Sequence, residues 1–262
     1  ARSVQLILFK ISVVKTTTQK ISAAGLLIAL GIIYGDIGTS PLYVFNAIIS
    51  DRTISDDLIL GTLSCIIWTL TLQTTLKYVI LVLQADNRGE GGTFALYALV
   101  RRRKKWLVIP AMVGGASLLA DGIITPPISI TSAVEGLKEL PALGIEDGSN
   151  TVVIIVLSIL TAFFFLQQFG TASIGSMFGP IMFAWFTMLL VLGIVHVFDD
   201  LSIFRAISPH YAIHFLQTYP GGFWLLGAVF LCTTGAEALY SDLGHCGKHN
   251  IRTSWMYVKI CL

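Results

Sequence analysis

The stretch GIIYGDIGTSPLY, Gly31 to Tyr43, places an aspartate, three glycines and a proline inside a run otherwise apolar enough to cross a bilayer. Asp36 stands about 15 residues into the apolar run Ile21–Ile49, beyond the reach of snorkelling to either interface. A charged side chain in hydrocarbon costs about 2.5–3.5 kcal/mol even on lenient insertion scales. Glycine and proline also free backbone amides and carbonyls that lipid cannot satisfy. A span that carries both must turn them toward protein or a polar cavity.

The rest of the chain fits a membrane protein. Of its 262 residues 55% are hydrophobic and 12% charged, with a mean hydropathy of +0.79; soluble domains carry roughly 25% charged residues. Apolar runs of spanning length occur at about Ile21–Ile49, Leu58–Leu83, Trp106–Leu137, Thr151–Leu166, Met177–Phe198 and Phe223–Leu243, and a seventh begins near Ile251. Their length and lack of strict alternation predict helices rather than barrel strands. The expected organisation is a cytosolic lead-in, residues 1–20, followed by a transmembrane domain over 21–262. The lead-in holds only the short apolar patch VQLILF, with no cleavage site after it, so neither a span nor a signal peptide is expected there. The missing initiator methionine and the ending inside an apolar run, SWMYVKICL, lead us to expect a fragment.

Basic residues predict the orientation. Arg2, Lys10, Lys15 and Lys20 precede the first span, Arg88 and Arg101–Lys105 lie between the second and third, and Lys248 and Arg252 follow the sixth. The alternate loops hold Arg52, Lys138 and Arg205 among acids such as Asp56, Asp57, Glu146 and Asp199. The N-terminus is therefore expected in the cytosol. The net charge of +2 gives no argument for nucleic acid, and the RRRKK run reads as a topology signal. Cys65, Cys232, Cys246 and Cys261 are scattered without zinc or disulfide spacing and are expected to be plain buried thiols. The loop ADNRGEGGTFALYALVRRRKK lacks the GK[ST] ending of a phosphate cradle and reads as a flexible or short-helical segment.

Three further carboxylates sit in or near spans: Asp121 in LLADGIITPP, Glu237 in TTGAEALYSD, and Glu135 in TSAVEG, nearer a span end. Asp121 is followed by Gly122, Pro126 and Pro127, and Glu237 follows Gly235. Breakers and acids at one depth suggest a single cavity lined with oxygens; the plainer alternative is a set of mutually bonded or snorkelling acids, which suits Glu135 equally well. On a helix Asp121 and Thr125 share a face, as do Thr234 and Glu237. Asp36 and Tyr43 are two turns apart if no break intervenes. Gly38, Thr39 and Ser40 would add carbonyl and hydroxyl oxygens at the break beside Gly35. Carboxylate, hydroxyl, phenol and carbonyl oxygens without histidine, thiol or arginine suit a hard alkali cation. Broken first and sixth helices also match a transporter plan of inverted five-span repeats with a midplane site.

The blocks GIIYGDIGTSPLYVF, NRGEGGTFALYALV, LLADGIITPPISITSAVEGL, FGTASIGSMFGPIM and LCTTGAEALYSDLGH, in this order from about residue 21 to the end, resemble the KUP/HAK/KT potassium uptake permeases. The resemblance implies an all-α membrane protein with the LeuT-like fold of the amino acid–polyamine–organocation superfamily: the first inverted repeat plus the sixth span. It implies proton-coupled potassium symport in a bacterial plasma (inner) membrane, with potassium ion and proton as transported ions, no cofactor, and no enzymatic role. Lipid is the expected surrounding, and a homodimer a further expected partner. By the same resemblance Asp36, Tyr43, Asp121, Thr125 and Thr234 contribute to a potassium site. Glu237 is the expected proton-coupling group, with Glu135 a second acidic position of less defined role. Family members continue to about twelve spans and a cytosolic region, and many carry alanine where Pro127 stands. The rival readings are an amino acid or polyamine permease, whose substrate carboxylate Asp36 would repel, an intramembrane aspartyl protease, whose YD and GxGD motifs are not matched, and a channel.

Overall fold

The computed structural model describes residues 21–49, 53–101, 104–137, 150–168 and 171–262. The expected lead-in with Arg2, Lys10, Lys15 and Lys20, and also Arg52, Arg102, Arg103, Lys138 and Glu146, lie outside the described residues. Those described are helical, with one isolated antiparallel bridge, Asn87–Glu90.

Helix α1 (Ala23–Ile33) starts where the Ser22 hydroxyl accepts from Gly25 N–H at 3.0 Å, a side-chain cap for one of the amides every helix start leaves free. It ends at Tyr34, whose φ of −100° and ψ of 6° leave the helical region. Helix α2 (Gly35–Ile49) departs at 55°. The break thus comes one residue before Gly35, and Pro41 lies inside α2 without ending it. The bend is held from outside. Tyr34 donates its phenol to Ile251 O at 2.6 Å and stacks on Trp255 with ring centres 5.9 Å apart.

The second span opens as α3 (Asp56–Thr69), capped by Ser55, and runs on through π-helical turns over Leu70–Leu81 and a 3-10 turn, Val82–Gln84. A π stretch of this length is rare, since wider turns pack less well along the axis. Here it is braced by the last helix: Trp255 Nε1 donates to Thr75 Oγ1 at 3.0 Å, and Arg252 Nε to Val79 O at 3.1 Å. A tight turn follows, in which Asn87 N–H bonds Glu90 O at 2.8 Å and Gly89 N–H bonds Asp86 Oδ2 at 3.0 Å. The short helix α4 (Thr93–Val100) comes next. The short-helical form of this loop is the one realised.

Helix α5 (Val108–Gly136) carries Pro126 and Pro127 within its length. Then come α6 (Thr151–Gln167) and α7 (Thr171–Val197). A 3-10 stretch, Leu201–Ile207, leads into α8 (Pro209–Thr218). The sixth span consists of α9 (Gly222–Phe230), a 3-10 turn over Leu231–Thr233, and α10 (Ala238–Ser241). α11 (Leu243–Cys246) and α12 (Lys248–Cys261) close the chain. Among the described residues four helical stretches are long and apolar enough to cross a membrane, the bent α1–α2 pair makes a fifth if it is taken as one span, and Thr151–Leu166 is a shorter apolar helix. Where a seventh apolar run was expected, α12 is two-sided: it buries Asn250, Ile251, Ser254, Trp255 and Val258 and exposes Met256 and Ile260.

The core gathers where α1, α2, the second span, α7, the sixth span and α12 meet. Tyr34, Ile37, Phe186, Leu239, Ile251 and Trp255 are among its fully buried members. Helices α1 and α7 pack closely, and small residues permit it, as is usual between membrane helices. A Cβ on Gly179 would fall 2.6 Å from Leu27 O, and one on Gly31 would meet the Gly179 backbone. Gly179→Ala is therefore expected to cost about 1–3 kcal/mol by overpacking. Gly193→Ala on the same helix faces open space and should leave the melting temperature in detergent unchanged; equal melting temperatures for the two variants would contradict this packing.

Candidate functional site

The first and sixth spans touch at the points where each loses its helix. In the sixth, Thr234 is extended (φ −58°, ψ 137°) and Gly235 takes φ +84°. Glycine adopts that left-handed backbone without steric cost. A Cβ on Gly235 would lie 2.8 Å from Asp36 Cβ and 3.0 Å from Asp36 Oδ2. The backbone of one break thus rests directly on the carboxylate of the other. The chain re-enters helix through Ala236 N–H to Thr233 O (3.0 Å) and Ala238 N–H to Gly235 O (3.1 Å). Because the break falls between Thr234 and Glu237, these two do not share a helical face. The expected i,i+3 pairing is corrected by the φ of Gly235.

Asp36 occupies the first turn of α2, where the helix dipole favours a negative group. The ladder resumes with Gly38 N–H to Tyr34 O at 3.0 Å. Thr39 and Ser40 turn their hydroxyls back to Asp36 O, at 3.1 and 2.7 Å. Serine and threonine in a helix commonly bond back to a carbonyl one turn earlier in this way. Ser40 also accepts from the Tyr43 phenol at 3.0 Å, so Tyr43, Ser40 and Asp36 form one polar edge along α2. Pro41 leaves the helix intact, and the two-turn separation of Asp36 and Tyr43 is realised on a single helix. Gly38 serves differently. A Cβ there would lie 2.7 Å from Phe186, and its carbonyl accepts Trp185 Nε1 at 3.2 Å. Gly35, at the bend, has open space around it. The break lies at Tyr34, beside Gly35 as expected, and Gly38, Thr39 and Ser40 fall inside α2.

The third span brings Asp121 to the same place. Thr125 donates to Asp121 Oδ1 at 2.9 Å, as the four-residue spacing predicts. Asp121 lies within electrostatic reach of Asp36 and opposite the Glu237 carboxyl at hydrogen-bonding range, and Glu237 in turn feels Asp36. Three carboxyls from three spans thus face one another. At 4 Å two like charges repel by about 4 kcal/mol at the dielectric of a protein edge. Among the described residues no lysine, arginine or histidine forms an ion pair with any of them. Such a cluster carries negative charge that no basic side chain among the described residues offsets.

Glu135 is not part of it. It is exposed in the last turn of α5, roughly 20 Å of helix beyond Asp121 at 1.5 Å per residue. Ser129 and Tyr78 were missed. Ser129 follows Asp121 and Thr125 at the same four-residue step and lies beside Asp36, its buried hydroxyl otherwise without a partner. Extending the i,i+4 series by one step would have found it. Tyr78, from the π-helical stretch, stands near Glu237, and no sequence signal marks it.

The chain matches the family described as K+ potassium transporter, integral membrane domain, over residues 23–262. It is 59% identical over 253 residues to a probable potassium transport system protein Kup of Cytophaga hutchinsonii, covering 93% of this chain and 37% of that protein. Kup proteins with the same description from Clostridium perfringens and Latilactobacillus sakei are 57% and 53% identical over 256 residues, each match covering 95% of this chain and 38% of the relative. The chain thus spans little more than a third of the length of the curated relatives it matches. No solved structure matches it.

Gly235→Ala tests the contact between the breaks, since it forces a left-handed alanine against Asp36. We expect a loss of about 1–3 kcal/mol in thermal stability. Gly227→Ala, in open space within α9, should be neutral or slightly stabilising; similar behaviour of both variants would contradict the contact.

Proposed function

The chain belongs to the KUP/HAK/KT family of potassium transporters, membrane carriers rather than enzymes, and we propose that it forms the first repeat and sixth span of a proton-coupled potassium symporter. The reading is carried by one observation: Asp36, Asp121 and Glu237 converge, with no basic partner among the described residues, at the contact of two broken helices. Discontinuous first and sixth helices are what the inverted-repeat, LeuT-like plan requires around a midplane site. Their contact through Gly235 and Asp36 favours that plan for this chain.

In this reading potassium exchanges most of its water for oxygens of Asp36, Tyr43, Asp121, Thr125 and Thr234, supplemented by backbone at Gly35 and by the hydroxyls of Thr39 and Ser40. These are hard oxygen ligands, matched to an alkali cation. A substrate bearing its own carboxylate would meet three acids, which argues against an amino acid. Glu237 takes up and releases a proton as the site turns from one face to the other. The neighbouring Asp121 links the two events: a cation between the carboxyls favours the charged form of both, and its departure favours a proton on one. Glu135, distant from the cluster, acts on the proton path only through intermediates if it acts at all. The protein resides in a bacterial cytoplasmic membrane with its N-terminus inside, the basic residues before α1, in the 85–105 segment and at Lys248 and Arg252 lying on the cytosolic side.

Two substitutions in the full-length protein test these roles. Asp36→Asn should abolish rescue of a strain lacking potassium uptake systems, and near-normal growth on low potassium would overturn the assignment. Glu237→Gln should retain rubidium binding but lose the stimulation of uptake by external acid. Unchanged acid stimulation would remove Glu237 from the coupling role.

A further inference from the structure

The chain contains five histidines, and two pairs have the four-residue spacing that puts side chains on one helical face: His210 with His214, and His245 with His249. Only one pair keeps that relation in space. Between His245 and His249 the helix is interrupted: α11 ends at Cys246, Gly247 takes φ +75°, and α12 begins at Lys248. His210 and His214 both lie in the unbroken α8, with ring centres 6.1 Å apart and 37° between the ring planes. Both are exposed. The fifth, His196, is engaged with Asp199 at 3.3 Å.

The opposite face of α8 is fixed. Ala212 and Phe215 are buried, and Phe215 packs so closely on the second span that a Cβ on Gly61 would lie 2.5 Å from it. The approach to the helix is anchored as well: Ser64 Oγ donates to Ser208 O at 2.9 Å, and Trp68 Nε1 to Ile207 O at 3.0 Å. The backbone bearing the two imidazoles is therefore rigid, while the rings project away from the protein.

We propose that His210 and His214 form a bidentate site for a divalent transition-metal ion of the Cu2+, Ni2+ and Zn2+ class, separate from the cation pathway. A metal bound about 2.0–2.1 Å from one nitrogen of each ring leaves the ring centres about 5–6 Å apart, so a small side-chain rotation from the present 6.1 Å closes the chelate. Two histidines one helical turn apart are a recurrent transition-metal pair for this geometric reason, and water completes the shell. Imidazole nitrogen favours these ions over hard alkali cations. The site therefore does not draw on the oxygen ligands of Asp36, Asp121 and Thr234, and does not depend on the transport reading.

The test uses the full-length protein purified without a polyhistidine tag, washed with chelator and titrated with CuCl2, NiCl2 and ZnCl2 in excess potassium. One Cu2+ per chain is expected, with an electron paramagnetic resonance signal of nitrogen coordination and affinity falling from Cu2+ to Ni2+ and Zn2+. His210→Ala and His214→Ala should each weaken Cu2+ binding by about tenfold or more, while His245→Ala should not change it. Absence of binding, or binding that survives either α8 substitution, overturns the proposal. So does an equal loss in His245→Ala. Potassium transport by all three variants is a separate measurement, and its outcome bears on the transport reading alone.

Discussion

The arrangement depends on a constraint that hydrocarbon imposes: a carboxylate in mid-span has to be received by protein. Asp36 meets it by lying against Gly235, and that contact fixes much else. It requires the first helix to end at Tyr34 so that α2 can swing by 55° toward the sixth span. It requires glycine at 235, both for the left-handed backbone and for the space. It brings the second half of the first span alongside α9 and the Leu231–Thr233 turn, next to the site where Glu237 faces Asp121. Tyr34 secures the bend from behind through Ile251 O and the Trp255 ring.

Much of this was legible in the sequence because membrane spans are written in long, unbroken apolar runs. The mid-span acids announced themselves by cost, and the glycines and prolines beside them announced broken helices. Asp121 and Thr125 were readable because α5 is continuous through both prolines. Thr234 and Glu237 were not: the same spacing argument failed, because Gly235 ends the helix between them. At the first break the composition located the interruption among Gly35, Gly38, Thr39 and Ser40; the helix ends at Tyr34 and resumes at Gly35, and the other three lie inside α2 together with Pro41. Gly38 was legible as special, and its lack of a side chain admits Phe186.

What the sequence conceals is tertiary. Nothing in LTLQTTLKYVIL signals a π-helix, and the partners that brace it, Trp255 and Arg252, come from a helix about 180 residues away. Tyr78, near Glu237, lies within that π-helical stretch. Ser129 was within reach of a simple periodic argument, and Glu135 was overvalued by sharing a helix with Asp121 without sharing its depth.

The turn between the second span and α4 also reaches the sixth. A Cβ on Gly91 would meet the Tyr240 carbonyl, Gly244 lies against the Glu90 carboxylate, and the Tyr240 phenol donates to Ala85 O. The short half-helix Ala238–Ser241, carried directly after Glu237, is thereby clamped to a segment some 150 residues earlier. A displacement of that half-helix would therefore strain these contacts unless the glycine-rich turn moved with it.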